Sequence, residues 1–219
     1  GSHIVSGCVM NPRGLDELIP NWRKLGFPVT TEVKKDKIVY FTKSKQYKLP
    51  LPSDWSNYGN YIISLSQLCR KLAEYAENLG VEIYPGFAAK SALIEDGILK
   101  GILTGDMGLE RDGTPSANYQ PGIEIRAKQT ILAEGCRGSV SKQLIEYFKL
   151  NADSQAQTYG LGIKEIWRVD PKKHRLGNVT HTIGYPLDAQ TYGGGFVYHL
   201  AGGLVSVGLV TALDYQNPY

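Results

Sequence analysis

Cysteine is scarce in this chain: Cys8, Cys69 and Cys136 are an odd number, lie more than sixty residues apart and form no CxxC pair. That spacing supports neither a disulfide framework nor a zinc or iron-sulfur site, and it suits a reducing compartment. Long apolar runs are also missing. The nearest, Gly202 to Leu213, is broken by Ser206 and Thr211 and is far shorter than the ~20 residues of a membrane-spanning helix, so no bilayer crossing is expected. No GxGxxG occurs anywhere, which removes the usual fingerprint of a dinucleotide-binding turn. No Ser-His-Asp or paired-carboxylate constellation stands out, and no catalytic residue is assigned. Net charge is only +3, and nucleic acid is not indicated.

What charge there is concentrates early. Residues 1–50 hold nine Lys or Arg against four Asp or Glu, and Lys34, Lys35, Lys37, Lys43, Lys45 and Lys48 could face an anionic membrane surface or an acidic partner. A solvated hairpin face explains them equally well. The chain has 219 residues, 42% of them hydrophobic and 21% charged, a balance close to that of globular proteins. Glycine is in excess, 25 of 219 against a usual ~7%, which points to tight turns or to backbone approaching a flat ligand closely.

Periodicity gives the elements. Leu15, Leu18, Ile19 and Trp22 are spaced as one face of a short helix over about 14–24. Residues 29–33 and 38–42 alternate around Lys34 to Lys37 as a hairpin would, and a Pro-rich loop through Trp55 follows, all read as excursions outside the core. Residues 65–79 carry the strongest helical stripe, with Ser64 as N-cap and Gly80 as C-terminal stop. The period then becomes strand-like: 81–84, 88–94, 98–104 and 123–132 read as a meander, with Asp96-Gly97 and Arg111-Asp112-Gly113 as turns. A strand at 130–133 runs through Glu134-Gly135-Cys136-Arg137-Gly138 into a helix from Ser139 to Phe148. Strands at 158–168, 181–185, 195–200 and 204–213 fill the C-terminal third.

A glycine turn between strand and helix offers backbone N–H groups and a helix N-terminus to an anionic or flat group. Residues 133–138 form such a turn, although an ordinary strand-helix turn looks the same. The succession of helix, Gly-Val-Glu-Ile-Tyr, meander and Ala-Glu-Gly-Cys-Arg-Gly resembles FAD-dependent oxidoreductases of the glutathione-reductase-like type. In finer detail, Gly1–Gly7, Gly59–Ile62, Gly80–Ala89, Thr130–Gly138, Gln157–Gly160, His181–Leu200 and Asp214–Tyr219 resemble the electron-transfer flavoprotein:ubiquinone oxidoreductase family.

The resemblance implies an α+β fold, with a partial glutathione-reductase-like FAD domain over residues 1–157 and the sheet of a ubiquinone-binding domain over 158–219. It implies an enzyme that takes electrons from electron-transfer flavoprotein and passes them through a 4Fe-4S cluster and FAD to ubiquinone. It also implies that the dinucleotide fingerprint and the cluster ligands lie outside the matched region, so the segment alone is expected to be inactive. Ser6, Gly7, Ala88, Ala89, Ala133, Glu134 and Gly135 match segments that approach FAD, and Gly193 and Gly194 match those whose backbone bonds ubiquinone. Flavoproteins of the glutathione-reductase-like type often carry arginine just before the long helix, whereas this chain has Ser64, so cofactor contact is not expected at that point.

A quinone is flat, with two carbonyl acceptors and an apolar tail, so bare backbone beside an apolar corridor suits it; a β-bulge or tight turn would also explain the glycines. Tyr192 and Phe196 could wall the pocket. His181 and His199 flank it and titrate near neutral pH, but a lone strand histidine is more often structural. Membrane binding is expected through one leaflet, with Val9, Met10, Leu15, Leu18, Ile19 and Trp22 dipping in. The implied location is the matrix face of the mitochondrial inner membrane, or the cytoplasmic membrane of a bacterium. The alternatives are another FAD enzyme of the same architecture, such as a geranylgeranyl reductase or a hydroxylase, and a lipid-binding β module without redox chemistry.

Overall fold

The computed structural model describes residues 7–215; Ser6, one of the expected cofactor-facing positions, lies outside them, as do residues 216–219. The described chain opens with β1 (Cys8–Met10), a short helix α1 (Arg13–Leu18), β2 (Thr31–Glu32), β3 (Lys35–Phe41), β4 (Gln46–Leu49), β5 (Tyr61–Ile63) and the long helix α2 (Leu65–Asn78). Next come β6 (Ala89–Glu95), β7 (Ile98–Thr104), β8 (Met107–Leu109), β9 (Pro115–Gln120), β10 (Glu124–Arg126) and α3 (Ser139–Phe148). The last four strands are β11 (Gly160–Arg168), β12 (Asn178–Gly184), β13 (Gly193–His199) and β14 (Leu204–Ala212). Two compact units result: one takes in the described residues up to Val81 together with those from Thr158 on, and the other is Glu82–Gln157.

The first unit is built on a six-stranded sheet of order β11-β14-β13-β12-β3-β4. Its neighbours are antiparallel except β12 and β3, which run parallel with Ile38 opposite His181 and Asp36 opposite Val179. Residues 35–41 are therefore no excursion: Ile38 and Val39 are buried, and the sheet extends beyond the residues from 158 on. The expected hairpin around Lys34 to Lys37 does not form either. β3 hairpins with β4 further along, while β2 leaves to pair with β5. The reason is burial: Val33, Ile38 and Val39 are all at least 94% covered, and the basic tip of the predicted hairpin would have pulled them into solvent.

The N-terminal segment also reads differently once folded. Helix α1 is short, and the chain then turns so that Leu15, Ile19 and Trp22 enter a core with Phe27, Val29, Ile63 and Leu68. Trp22 Nε1 donates to Asp16 Oδ1 at 2.7 Å, Arg23 Nη1 donates to the same oxygen at 2.6 Å, and the guanidinium lies 4.2 Å from the Trp22 ring centre. Of the residues expected to dip into a leaflet, Leu15, Ile19 and Trp22 are thus core residues, whereas Leu18 is exposed. Helix α2 follows the predicted stripe. Ser64 stands at its N-cap without a side-chain capping bond, and Gly80, at φ +88°, ends it with a backbone bond to Glu77.

The second unit carries the meander. β6 and β7 form a hairpin through Asp96 and Gly97, both at positive φ, as a type I′ turn requires. β10 lies on the other side of β7, and Gln143 on α3 ties that helix to β6 by bonds to Ala92 N and Lys90 O. The stretches 81–84 and 130–133 are not strands here. Tyr84 and Ile131 are exposed, and an extended segment without a ladder partner leaves its backbone groups to water.

Ile63 sits centrally, 2% exposed, between the small sheet and α2. Ile63→Ala should lower unfolding stability by about 2–4 kcal/mol, read as a shift of the urea midpoint without a change in its slope.

Candidate functional site

One cavity of about 510 Å³ opens in the first unit, a volume within the usual range for small-molecule sites. Its floor is the start of β13, Gly193 to Gly195, and its walls are Ile38 from β3, His181 to Ile183 from β12, Phe196 and Val210, with Tyr192 and Trp55 at the rim. Tyr192 and Trp55 are exposed. The register explains the convergence: Ile38 is opposite His181, His181 opposite Phe196, and Gly194 opposite Val210. Side chains at paired positions share a face, so one face of the sheet supplies both the apolar walls and the imidazole.

The glycines are demanded first by packing. A Cβ on Gly194 would stand 2.4 Å from the Thr182 carbonyl oxygen, and one on Gly195 would stand 2.6 Å from Thr182 Oγ1. Gly193 adopts φ +155°, and a Cβ there would meet Val210 O at 2.2 Å. Next along the sheet, the Phe196 ring lies over Gly208, where a Cβ would come within 2.3 Å of it. What the missing side chains leave is a trough with backbone at its bottom.

The two expected backbone contacts are not equivalent. Ala212 N donates to Tyr192 O, which makes that pair a hydrogen-bonded one. The alternation of an antiparallel ladder then turns the N–H and C=O of Gly194 toward Val210 and those of Gly193 toward β12. The β12–β13 register ends at Thr182 opposite Gly195, so Gly193 directs its polar groups past the end of that ladder. A carbonyl ligand in the trough would find its backbone partner at Gly193, with Gly194 supplying clearance.

The two histidines separate cleanly. His199 accepts a bond from Arg175 N at its Nδ1 (3.0 Å), and burial together with His174, Arg175 and Lys37 holds its pKa below the ordinary value. It is fastened into the turn before β12. His181 lines the cavity, half-buried, with Nε2 2.8 Å from the Tyr198 hydroxyl. Burial pushes its pKa down, and the Asp36 charge partly opposes this. Sequence reasoning did not single out Ile38, Trp55 or Val210, and no local signal could have, because the parallel pairing of β3 with β12 is what brings the first two to the glycines.

The positions expected to face FAD fall in both units. In the first, Gly7 is buried at φ +86°, where a Cβ would meet Ser206 Oγ at 2.8 Å, and its carbonyl accepts from Lys164 Nζ at 3.0 Å. Its glycine is required locally by β14. In the second, Ala88 stands just before β6 and Ala89 opens it, and Gly135 is at φ +81° with nothing within 4 Å of a built Cβ. Glu134 behaves otherwise. Its carboxylate accepts from Val140 N, Ser141 N and Ser141 Oγ at 3.2, 2.7 and 2.7 Å, and those bonds hold its pKa below the usual carboxylate value. The N-terminus of α3 is thus already capped by this chain's own anion, with Gly138 bare to make room for it. The backbone at Gly135 is thus open, while the N-terminus of α3 offers no free donors at Val140 and Ser141.

Solved structures define the class. The chain superposes with a TM-score of 0.54 on Klebsiella pneumoniae HpxO complexed with FAD and uric acid (12% identity, 99% of this chain, 50% of that one). It does so with the same score on the myxobacterial FAD-dependent halogenase CndH (15% identity, 97% of this chain, 45% of that one). The fold is of the type found in FAD-dependent enzymes. Sequence narrows it further. Residues 159–219 match the family model "ETF-QO, ubiquinone-binding". Over 100% of its length the chain is 51% identical to the mitochondrial electron transfer flavoprotein-ubiquinone oxidoreductase of Dictyostelium discoideum, 48% to the mitochondrial one of Bos taurus and 53% to the electron transfer flavoprotein-ubiquinone oxidoreductase of Pseudomonas aeruginosa. The chain belongs to this family and spans 36%, 36% and 41% of the lengths of those relatives.

The capping role of Glu134 has a pH signature. A carboxyl whose folded pKa is depressed stabilises above its unfolded pKa, and the benefit is lost as pH falls through the folded value. Glu134→Gln should lower the melting temperature at neutral pH, and the difference from wild type should shrink below about pH 4.3. An equal deficit at both pH values would mean that the side chain acts by packing alone.

Proposed function

We propose that this chain forms the ubiquinone-receiving part of a flavoprotein that takes electrons from electron-transfer flavoprotein and passes them, through a 4Fe-4S cluster and FAD, to ubiquinone. The observation that carries this reading is the glycine-floored cavity, whose floor and β12 wall lie inside the 159–219 stretch that matches a ubiquinone-binding family model. A quinone ring needs a flat slot, an apolar wall for its methyl and tail carbons, and a few donors for its carbonyls. Ile38, Ile183, Phe196 and Val210 supply the wall, and Gly193 and the imidazole supply the donors. Gly194 acts by leaving space.

The fold is assigned to the glutathione-reductase-like type, with residues 1–157 contributing to the FAD domain and 158–219 to the sheet of the quinone domain, which also incorporates β3 and β4. FAD supplies, when bound, the electrons that leave for the quinone. Ala88, Ala89 and the backbone of Ala133, Glu134 and Gly135 are the candidates to hold it, with Glu134 also fixing the turn through α3. Ser6 and Gly7 are kept as candidates by resemblance to the family. A lipid-soluble acceptor places the enzyme at a membrane surface, and the mitochondrial and bacterial relatives favour the matrix face of the inner membrane or the bacterial cytoplasmic membrane. Among the described residues no helix is long and apolar enough to cross a membrane, which is compatible with attachment to one leaflet. In that reading Leu18 and the exposed Lys43, Lys45 and Lys48 in and before β4 are better placed for the lipid than the buried Trp22.

Substitution inside the slot tests the reading without touching the glycines. Val210→Trp fills the cavity from β14, and in the full-length protein it should weaken ubiquinone-1 binding by at least about tenfold, roughly the cost of one lost apolar contact surface. Flavin absorbance should be retained. Undiminished ubiquinone-1 binding would remove the assignment, and a full-length protein without flavin absorbance would favour a lipid-binding module instead.

A further inference from the structure

We propose that His181 is the residue that hands a proton to a quinone carbonyl oxygen in this slot, and that the Tyr198 hydroxyl is the positioning group that selects its working tautomer. This rests on the reading of the cavity as a quinone seat. The geometry comes from the sheet: His181 and Tyr198 lie two positions apart diagonally on the β12–β13 pair, with Nε2 and the hydroxyl oxygen 2.8 Å apart and the rings edge to face at 5.5 Å. Phe196 stacks on Tyr198, with ring centres 4.6 Å apart, which fixes the phenol.

Tyr198 is 8% exposed, and burial with the charges of Cys8 and Asp36 pushes its pKa up to about 12, so it remains a phenol. A buried hydroxyl needs an acceptor, and the neutral imidazole nitrogen provides it. With Nε2 accepting, the proton of neutral His181 sits on Nδ1, and the nitrogen left for a carbonyl in the cavity is a donor. The titratable neighbours of the imidazole are Tyr198 from β13 and Asp36 from β3, whose register position is one pair away on the same face. Asp36 is buried, with Oδ2 accepting from Asn57 N and Nδ2 at 2.8 and 2.9 Å. No hydrogen-bond partner for its Oδ1 is found among the described residues.

Quinone reduction to quinol takes two electrons, supplied by a reduced flavin-class donor, and two protons. At rest His181 is neutral and places no charge in an apolar slot. As negative charge builds on the carbonyl oxygen, Nε2 takes up a proton that originates in water, and the Tyr198 hydroxyl turns from donor to acceptor toward it. The Nδ1–H bond then breaks and the quinol O–H bond forms, which leaves the neutral Nε2–H imidazole; proton exchange with water restores the Nδ1–H form before the next turnover. The second proton comes from solvent at the other carbonyl. Protonation of the imidazole becomes harder as pH rises, so turnover falls on the alkaline side.

The test uses the full-length protein with ubiquinone-1 as acceptor. His181→Gln, whose amide can still donate to a carbonyl, should lower kcat about 100-fold, the usual worth of a positioned acid, while ubiquinone-1 affinity read by tryptophan fluorescence falls far less than kcat. It should also flatten the decline of kcat as pH rises above the His181 pKa, which burial holds below the ordinary 6.5. Tyr198→Phe should raise KM little and lower kcat less than His181→Gln does. A second measurement avoids dependence on variant folding: in flavin-free wild-type protein, ¹⁵N NMR of His181 should show the Nδ1–H tautomer and a shift of Nδ1 on adding ubiquinone-1. An Nε2–H tautomer, an unmoved Nδ1 resonance, or an unchanged kcat and pH profile in His181→Gln while ubiquinone-1 still binds would overturn the role of His181 and leave the quinone seat standing. Failure of wild-type protein to bind ubiquinone-1 would overturn both.

Discussion

The parallel pairing of residues 35–41 with 178–184 is the constraint on which the first unit depends. It joins segments separated by roughly 140 residues, and long loops of this kind are entropically costly to close and slow to find. The return is burial on both sides of the seam: Val33 and Ile38 from one segment and Val179 from the other are nearly fully covered. The same register sets Ile38 beside His181 and Asp36 one step away. Without this seam the C-terminal strands would still carry their glycines, but the trough would have one wall.

Glycine plays two roles at the slot, and they act in the same direction. The sheet cannot tolerate a Cβ at Gly193, Gly194 or Gly195 because neighbouring carbonyls and Thr182 occupy that space. The resulting bare backbone is what a flat ligand can approach. On the proposed reading of the slot, stability and recognition select the same residues, and a loss of function after substituting Gly194 would report on folding as much as on binding. Val210 and His181 separate the two effects because their side chains, rather than their absence, define the cavity.

The legible parts of the sequence were the local ones. Helix α2, the Asp96-Gly97 turn, α3 and the C-terminal strands are each specified by periodicity or by a turn residue within a few positions. Pairings between distant segments were not legible. Residues 35–41 looked like part of a basic hairpin because Lys34, Lys35 and Lys37 cluster at its expected tip, yet Ile38 and Val39 choose a partner far along the chain. The apolar stripe of α1 was readable as a stripe but not by its destination, since a leaflet and a protein core reward the same spacing. At 133–138 the sequence revealed a turn before a helix, but not that Glu134 would reach forward to Ser141 and occupy the helix end itself. The glycine floor was visible in Gly193-Gly194-Gly195, whereas Ile38 and Trp55 came into the site only through the fold.

The segment bearing Trp55 is pinned by Asn57, whose main-chain and side-chain N–H groups both hold the buried carboxylate of Asp36. Swinging that rim outward would strand an ionisable group inside the protein with nothing to solvate it, at a cost of about 1–3 kcal/mol or more. These bonds therefore oppose an outward swing of the rim. If the trough takes a quinone as proposed, the visitor would slide in edgewise through a doorway already cut to size, and selectivity would fall on the thickness of the incoming head rather than on a closing motion behind it.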